Sequence, residues 1–251
     1  MRRARSGWVV AAVVVAGCGA SAADGSGSTT DAPVPTAAST TMASAAPAVA
    51  SSPDADLARR AVLTPEDLGE GWRTVDERLV FPNSAELART VPACEPFAEL
   101  VFQGGAQHGS GVSEALLERS EPVFTYVVVF PTEAEAAAMI AATASPGFSA
   151  CWAGFNEVAV PSMPLGVEAA SYNVGTPPVL AFEADESTVL FLEGTVTIGG
   201  ADFKDTCACV FARAGRGVVE VHSTLTALDA DARSGVVQAA VDKLRATLTP
   251  P

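Results

Sequence analysis

The chain predicts an α+β fold, a single domain on a largely antiparallel sheet flanked by helices, preceded by a signal peptide and a disordered linker. Three observations carry this. Short apolar segments follow one another with turn-like breaks between them. Capped or amphipathic helical segments stand before, among and after them. The residues from Ser21 to Ser52 contain no aromatic side chain and little but Ser, Thr, Ala, Pro and Gly. The resulting boundaries are 1–17 for the signal peptide, 18–53 for the linker and 54–251 for the globular domain.

The first element is the leader. Arg2, Arg3 and Arg5 precede an apolar stretch from Trp8 to Ala16. That stretch is shorter than the roughly 20 residues a spanning helix needs, and it has the size of a secretory h-region. Its end, Val15-Ala16-Gly17-Cys18, resembles the lipobox of bacterial lipoproteins. The resemblance implies cleavage before Cys18 and diacylglycerol on its thiol, which puts the protein on the extracytoplasmic face of the cell membrane. The plainer alternative is an ordinary cleaved leader in which Cys18 has no role. Two acyl chains give stable anchoring where one gives marginal binding. The Ser21–Ser52 stretch cannot bury enough apolar surface to offset the entropy of ordering it, so it reads as an extended tether.

Within the domain, Asp56 to Val62 reads as a short helical turn. A second start follows at Leu63-Thr64-Pro65-Glu66-Asp67-Leu68, with Thr64 as N-cap, Pro65 at N1 and Asp67 closing a capping box. Leu63 and Leu68 hold the staple positions, and Gly69 and Gly71 end the helix. Glu121–Phe130 is the strongest strand; it is apolar on both faces, as an inner strand covered on each side should be. Pro131 ends it, and Thr132 with Glu135 caps an alanine-rich helix to about Ser145. Further strands are predicted near Phe155–Val160, Ala169–Val174, Val179–Ala184, Thr188–Ile198, Cys207–Arg213 and Gly217–Thr224. The last two are joined by a hairpin turn at Ala214-Gly215. A final helix from about Asp229 to Leu248 carries the stripe Val237, Val241, Leu244 and Leu248, capped by Asp229 or Asp231.

Cys94, Cys151, Cys207 and Cys209 remain after Cys18. An even number in an exported domain reads as two disulfides, with three connectivities open. Cys94–Cys151 with Cys207–Cys209 is the favoured one, although an extended i, i+2 pair lies about 6.8 Å apart, at the upper edge of bridging geometry. The same residues admit a sharper alternative. If Arg213 pairs with Arg216 or Val218 across the hairpin, His222 falls on the Cys207/Cys209 face, and the three could hold zinc with a fourth ligand. The oxidising side of a membrane favours the disulfide instead, so no metal and no cofactor is expected.

The net charge is −14, and loss of the leader removes three arginines and no acid. An acidic body of this kind repels nucleic acid and anionic headgroups. Catalytic constellations are weak. His108 lies in the glycine-rich stretch Gly104–Gly111, which reads as a connector rather than a binding loop. Ser110 lacks a nucleophile elbow. Glu183, Asp185 and Glu186 read as a solvated turn, as do Asp202 and Asp205 beside Gly199-Gly200, without the spacing of a calcium loop. Trp72 and Trp152 read as core residues rather than a glycan platform.

The leader and tether, the Leu63–Leu68 opening with Gly71-Trp72, the Phe130-Pro131-Thr132 step, Cys151-Trp152 and the terminal helix together resemble actinobacterial cell-envelope lipoproteins. In layout their domains are similar to the extracellular sensor domain of mycobacterial membrane Ser/Thr kinases. The resemblance implies a sheet flanked by helices, two disulfides and a cleft for an unidentified ligand; it brings no functional residues. The expectation is a non-catalytic, sensor-like binding domain for a lipid, glycan or small envelope metabolite, and not an enzyme. The alternative is a structural lipoprotein that binds an envelope protein partner.

Overall fold

The computed structural model describes residues 52–74, 84–102, 111–118, 122–162, 166–224 and 230–249. Cys18, most of the linker, His108 and Ser110, and the Asp229 cap lie outside them.

In chain order the elements are α1 (Pro53–Ala61), α2 (Pro65–Leu68), β1 (Arg73–Thr74) and α3 (Ser84–Thr90). A 3-10 segment, Pro92–Phe97, and a π-helical one, Ala98–Phe102, follow. Then come β2 (Gly111–Glu118), β3 (Pro122–Val129), α4 (Glu133–Thr143), α5 (Pro146–Ser162), β4 (Val167–Val174), β5 (Glu186–Ile198), β6 (Ala201–Ala214), β7 (Gly217–Thr224) and α6 (Ala230–Leu248). The strands form one sheet in the order β1-β2-β3-β7-β6-β5-β4, every neighbour antiparallel.

The pleat sends alternate residues to two cores. One face presents Val123, Val127, Val129, Val210, Ala212, Val219 and Val221 to α1 and α6. The other presents Val128, Leu190, Leu192, Phe211 and Val218 to α4 and α5. The α+β expectation and the antiparallel sheet therefore hold, with helices on both faces. β3 lies between β2 and β7, and its two apolar faces follow from that place.

Both capping boxes form. Thr64 N–H donates to Asp67 Oδ2 at 2.7 Å, and Thr132 N–H to Glu135 Oε2 at 3.0 Å. Gly69 ends α2 with φ +86°, a backbone that side chains other than glycine rarely adopt.

Two predicted strands are corrected. Phe155–Val160 belongs to α5, which carries Phe155, Ala159 and Val160 into the core along with Trp152. Val179–Ala184 joins no ladder. Leu180, Phe182 and Ala184 turn toward the α1/α6 core, while the Ala181 N–H donates to Ser234 Oγ and the Glu183 N–H to Gln238 Oε1 on α6. Helical side chains there take the place of a neighbouring strand.

Candidate functional site

β6 and β7 are joined by a two-residue turn in which Ala214 faces Gly217 across the ladder, and Gly215 takes φ +55°. This is one of the registers that brings the predicted histidine to the thiols. Arg213 pairs with Val218, so Cys209 stands opposite His222. Period-two alternation then places Cys207, Cys209, Glu220 and His222 on one face, the α4/α5 side.

Cys207 Sγ lies 2.9 Å from His222 Nε2, and the Cys209 thiol donates to Glu220 Oε1 at 3.5 Å. The ligand atoms of Cys207, Cys209 and His222 all lie within 4.8 Å of one another. Both sulfurs are buried, while Glu220 and His222 are half-buried. On β3 the register sets Phe124 opposite His222 and Tyr126 opposite Glu220, and their rings stack at 6.5 Å.

The electrostatics follow from the contacts. The neighbouring Cys209 side chain and the His222 charge both favour a thiolate on Cys207; together they outweigh burial and hold Cys207 well below the ordinary thiol range. Burial and the neighbouring Cys207 push Cys209 the other way. Burial works against a charged imidazole, yet the Cys207 thiolate prevails and raises His222 to about 9. Burial lifts Glu220 to about 7 against the pull of His222. The contacts thus favour negative charge on Cys207 and positive charge on His222, with Cys209 kept as a thiol beside them.

A supporting row crosses the sheet. Tyr172 on β4, Gly194 on β5 and Asp205 on β6 stand in register. The Tyr172 hydroxyl donates to Asp205 Oδ2 at 2.5 Å, and the Tyr172 N–H donates to Glu157 Oε1 at 3.0 Å. Burial, reinforced by the Asp205 charge, raises the Tyr172 phenol above its usual range. Asp205 sits two residues from Cys207 on the same face, in a strand rather than in the turn expected for it.

Of the expected disulfides, Cys94–Cys151 forms, with its Cα atoms 4.6 Å apart, and ties the 3-10 segment to α5. Cys207 and Cys209 are free thiols. This corrects the expected second bridge. The ladder runs unbroken through both residues toward β5 and β7, with no bulge to draw an i, i+2 pair together.

Asp185, Glu186 and Asp202 make structural contacts. Asp185 accepts from the Gly215 N–H at 2.7 Å, Glu186 pairs with Arg213, and Asp202 accepts from Thr197 Oγ1. Trp152 is core, stacked with Phe148 and Phe155 and edge-on to Phe211. Among the described residues no helix is long and apolar enough to cross a membrane.

Glu220 and Tyr172 carry no site reading in the sequence, and Asp205 reads there as part of a solvated turn. Glu220 had a signal, its i−2 spacing from His222; Tyr172 depends on a strand pairing that spacing does not reveal.

Fold and cluster together define a three-layer α+β domain with a dithiol–histidine centre on one sheet face. No known family matches the sequence, and no curated protein matches it. Among solved structures the chain is similar to the extracellular domain of PknH from Mycobacterium tuberculosis, at 15% identity and a TM-score of 0.33. That likeness covers 57% of this chain and 69% of the other. A likeness so slight carries neither fold nor function across.

Proposed function

We propose that this protein is a lipid-anchored, extracytoplasmic domain of the cell envelope that binds a ligand without transforming it, and that the β6–β7 cluster is its binding centre. The leader ending in Cys18 and the featureless tether support the anchoring, and an exported chain is where a Cys94–Cys151 bridge persists. The single observation that carries the binding centre is the gathering of Cys207, Cys209, Glu220 and His222. They occupy adjacent strands on the face that carries Val128, Leu190, Leu192, Phe211 and Val218. Four polar, ionisable groups interrupting a packed face are costly unless they serve a ligand.

A second reading rests on the 2.9 Å Cys207–His222 contact, which is also that of an activated thiol nucleophile. Cys209 weighs against it, because a thiol–imidazole pair acting as a nucleophile has no use for a second buried thiol beside it.

The test is native mass spectrometry of the protein released from its own membranes, with intact-mass analysis of the N-terminus. We expect an acylated Cys18 and a bound species that His222→Ala loses. Repeated empty spectra, together with an unchanged melting temperature in envelope extracts, would overturn the binding reading. An unmodified N-terminus would overturn the anchoring.

A further inference from the structure

We propose that the ligand of the β6–β7 cluster is a thiophilic divalent cation, zinc in the first instance. Cys207 Sγ, Cys209 Sγ and His222 Nε2 hold it, and the Glu220 carboxylate takes the fourth position. This rests on the cluster being the binding centre and names what it binds.

Geometry comes first. Zinc takes thiolates at about 2.3 Å and imidazole nitrogen at about 2.0–2.1 Å, so a tetrahedral site spaces its donor atoms by roughly 3.4–3.8 Å. The three donors here already lie within 4.8 Å of one another. The shortest pair, Cys207 Sγ to His222 Nε2 at 2.9 Å, has only to open by about half an ångström as an ion enters between them. Glu220 Oε1, 3.5 Å from Cys209 Sγ, borders the same space.

The donor chemistry narrows the ion. Two sulfurs and one imidazole suit a borderline-soft metal; calcium and magnesium require oxygen ligands. The charges fit as well. Two thiolates and a carboxylate around a dication leave a net −1; the Cys209 thiol proton and the proton on His222 Nε2 leave to solvent on binding, with no change of oxidation state. Asp205, fixed by the Tyr172 hydroxyl two residues along the same face, adds negative potential beside the site.

An independent observation is the survival of the thiols. Cys94 and Cys151 are joined, yet Cys207 and Cys209 are held apart by a ladder that is regular on both sides. A bridge between them would have to break pairing with β5 or β7. A zinc ion needs no such distortion, and it has no redox chemistry of its own through which to oxidise the sulfurs.

The experiment uses the full chain, stripped with a chelator under mild reductant and titrated with zinc chloride, with calcium and magnesium chlorides as controls. Stoichiometry is read by elemental analysis and affinity by competition with a chromophoric chelator. We expect one zinc per chain, no calcium or magnesium binding, and a loss of about 100-fold or more for Cys209→Ser and His222→Ala, with a smaller loss for Glu220→Gln. Cobalt in the unmutated protein should give the absorption of a tetrahedral, thiolate-ligated ion, a readout that does not depend on the variants folding. Absent binding, binding indifferent to these substitutions, cobalt without thiolate charge-transfer, or a Cys207–Cys209 disulfide in the unreduced native protein would each overturn the proposal. An organic mass that disappears with His222→Ala, in the absence of zinc, would sink the metal and leave the binding centre standing.

Discussion

The Tyr172 hydroxyl meets the Asp205 carboxylate across a strand to which neither residue belongs. Between them lies Gly194, and a side chain there would run into the Tyr172 ring. The missing Cβ is what lets the ring cross β5 and deliver its hydroxyl to β6.

Gly194→Val should therefore displace the ring and destabilise the domain by about 1–3 kcal/mol, the usual cost of overpacking. Tyr172→Phe should cost about 1–2 kcal/mol by leaving Asp205 without its donor. Urea denaturation of each variant checks both. Equal midpoints for Tyr172→Phe and the parent protein would show that Asp205 finds another partner.

The Cys94–Cys151 bridge spans 57 residues. In the chain-entropy account a loop of that size stabilises by about 4 kcal/mol. The Cys94→Ala/Cys151→Ala double variant should lose an amount of that order in guanidinium melts, unfolding from a lower denaturant concentration than the parent protein.

Asp67 sets an acid limit on stability. Burial raises its pKa, but the Lys243 ammonium and the Thr64 N–H and hydroxyl outweigh burial and leave it below the usual carboxylate range. A folded value below the unfolded one means the contribution is fully present above about pH 5 and disappears as pH falls through the folded value. Asp67→Asn should lower stability by about 1 kcal/mol at pH 7, the weight of a helix cap. It should also leave a smaller difference from the parent protein below pH 3, measured by thermal melts across that range.

Gly217 and Leu244 are packed so closely that a Cβ on the glycine would come within 2.6 Å of Leu244 Cδ1. Gly217→Ala should cost about 1–3 kcal/mol by crowding, and Leu244→Ala about 2–5 kcal/mol by opening a cavity in the α6 layer. Combined, they should cost less than the sum, because the truncated leucine leaves room for the new methyl. Strict additivity in the double-mutant cycle would refute the contact.

What could be read from the sequence was what short-range physics decides. The capping boxes at Thr64 and Thr132 use residues three apart, and the Cys207/Cys209/His222 face needed only a two-residue hairpin register. The misread segments fail for reasons that lie elsewhere in the chain. Phe155–Val160 is a six-residue window, too short for periodicity to separate strand from helix; in α5 its Phe155, Ala159 and Val160 are buried while Glu157 and Val158 face out. Val179–Ala184 does alternate, and its even residues do face inward, but Ser234 and Gln238 on α6 take the backbone bonds that a neighbouring strand would. Asp205 could be placed only once β4, β5 and β6 were aligned.

The alternation along β6 has one more consequence. Ala208, Val210 and Ala212 turn to the α1/α6 layer, while Cys207, Cys209 and Phe211 turn away from it. The sulfur-bearing positions of β6 thus pack in the α4/α5 core, and the residues that hold α6 face the other way. Descendants of this chain are free to exchange the sulfur-bearing positions for other donors, and so to change what is recognised, without renegotiating the contacts that keep α6 in place.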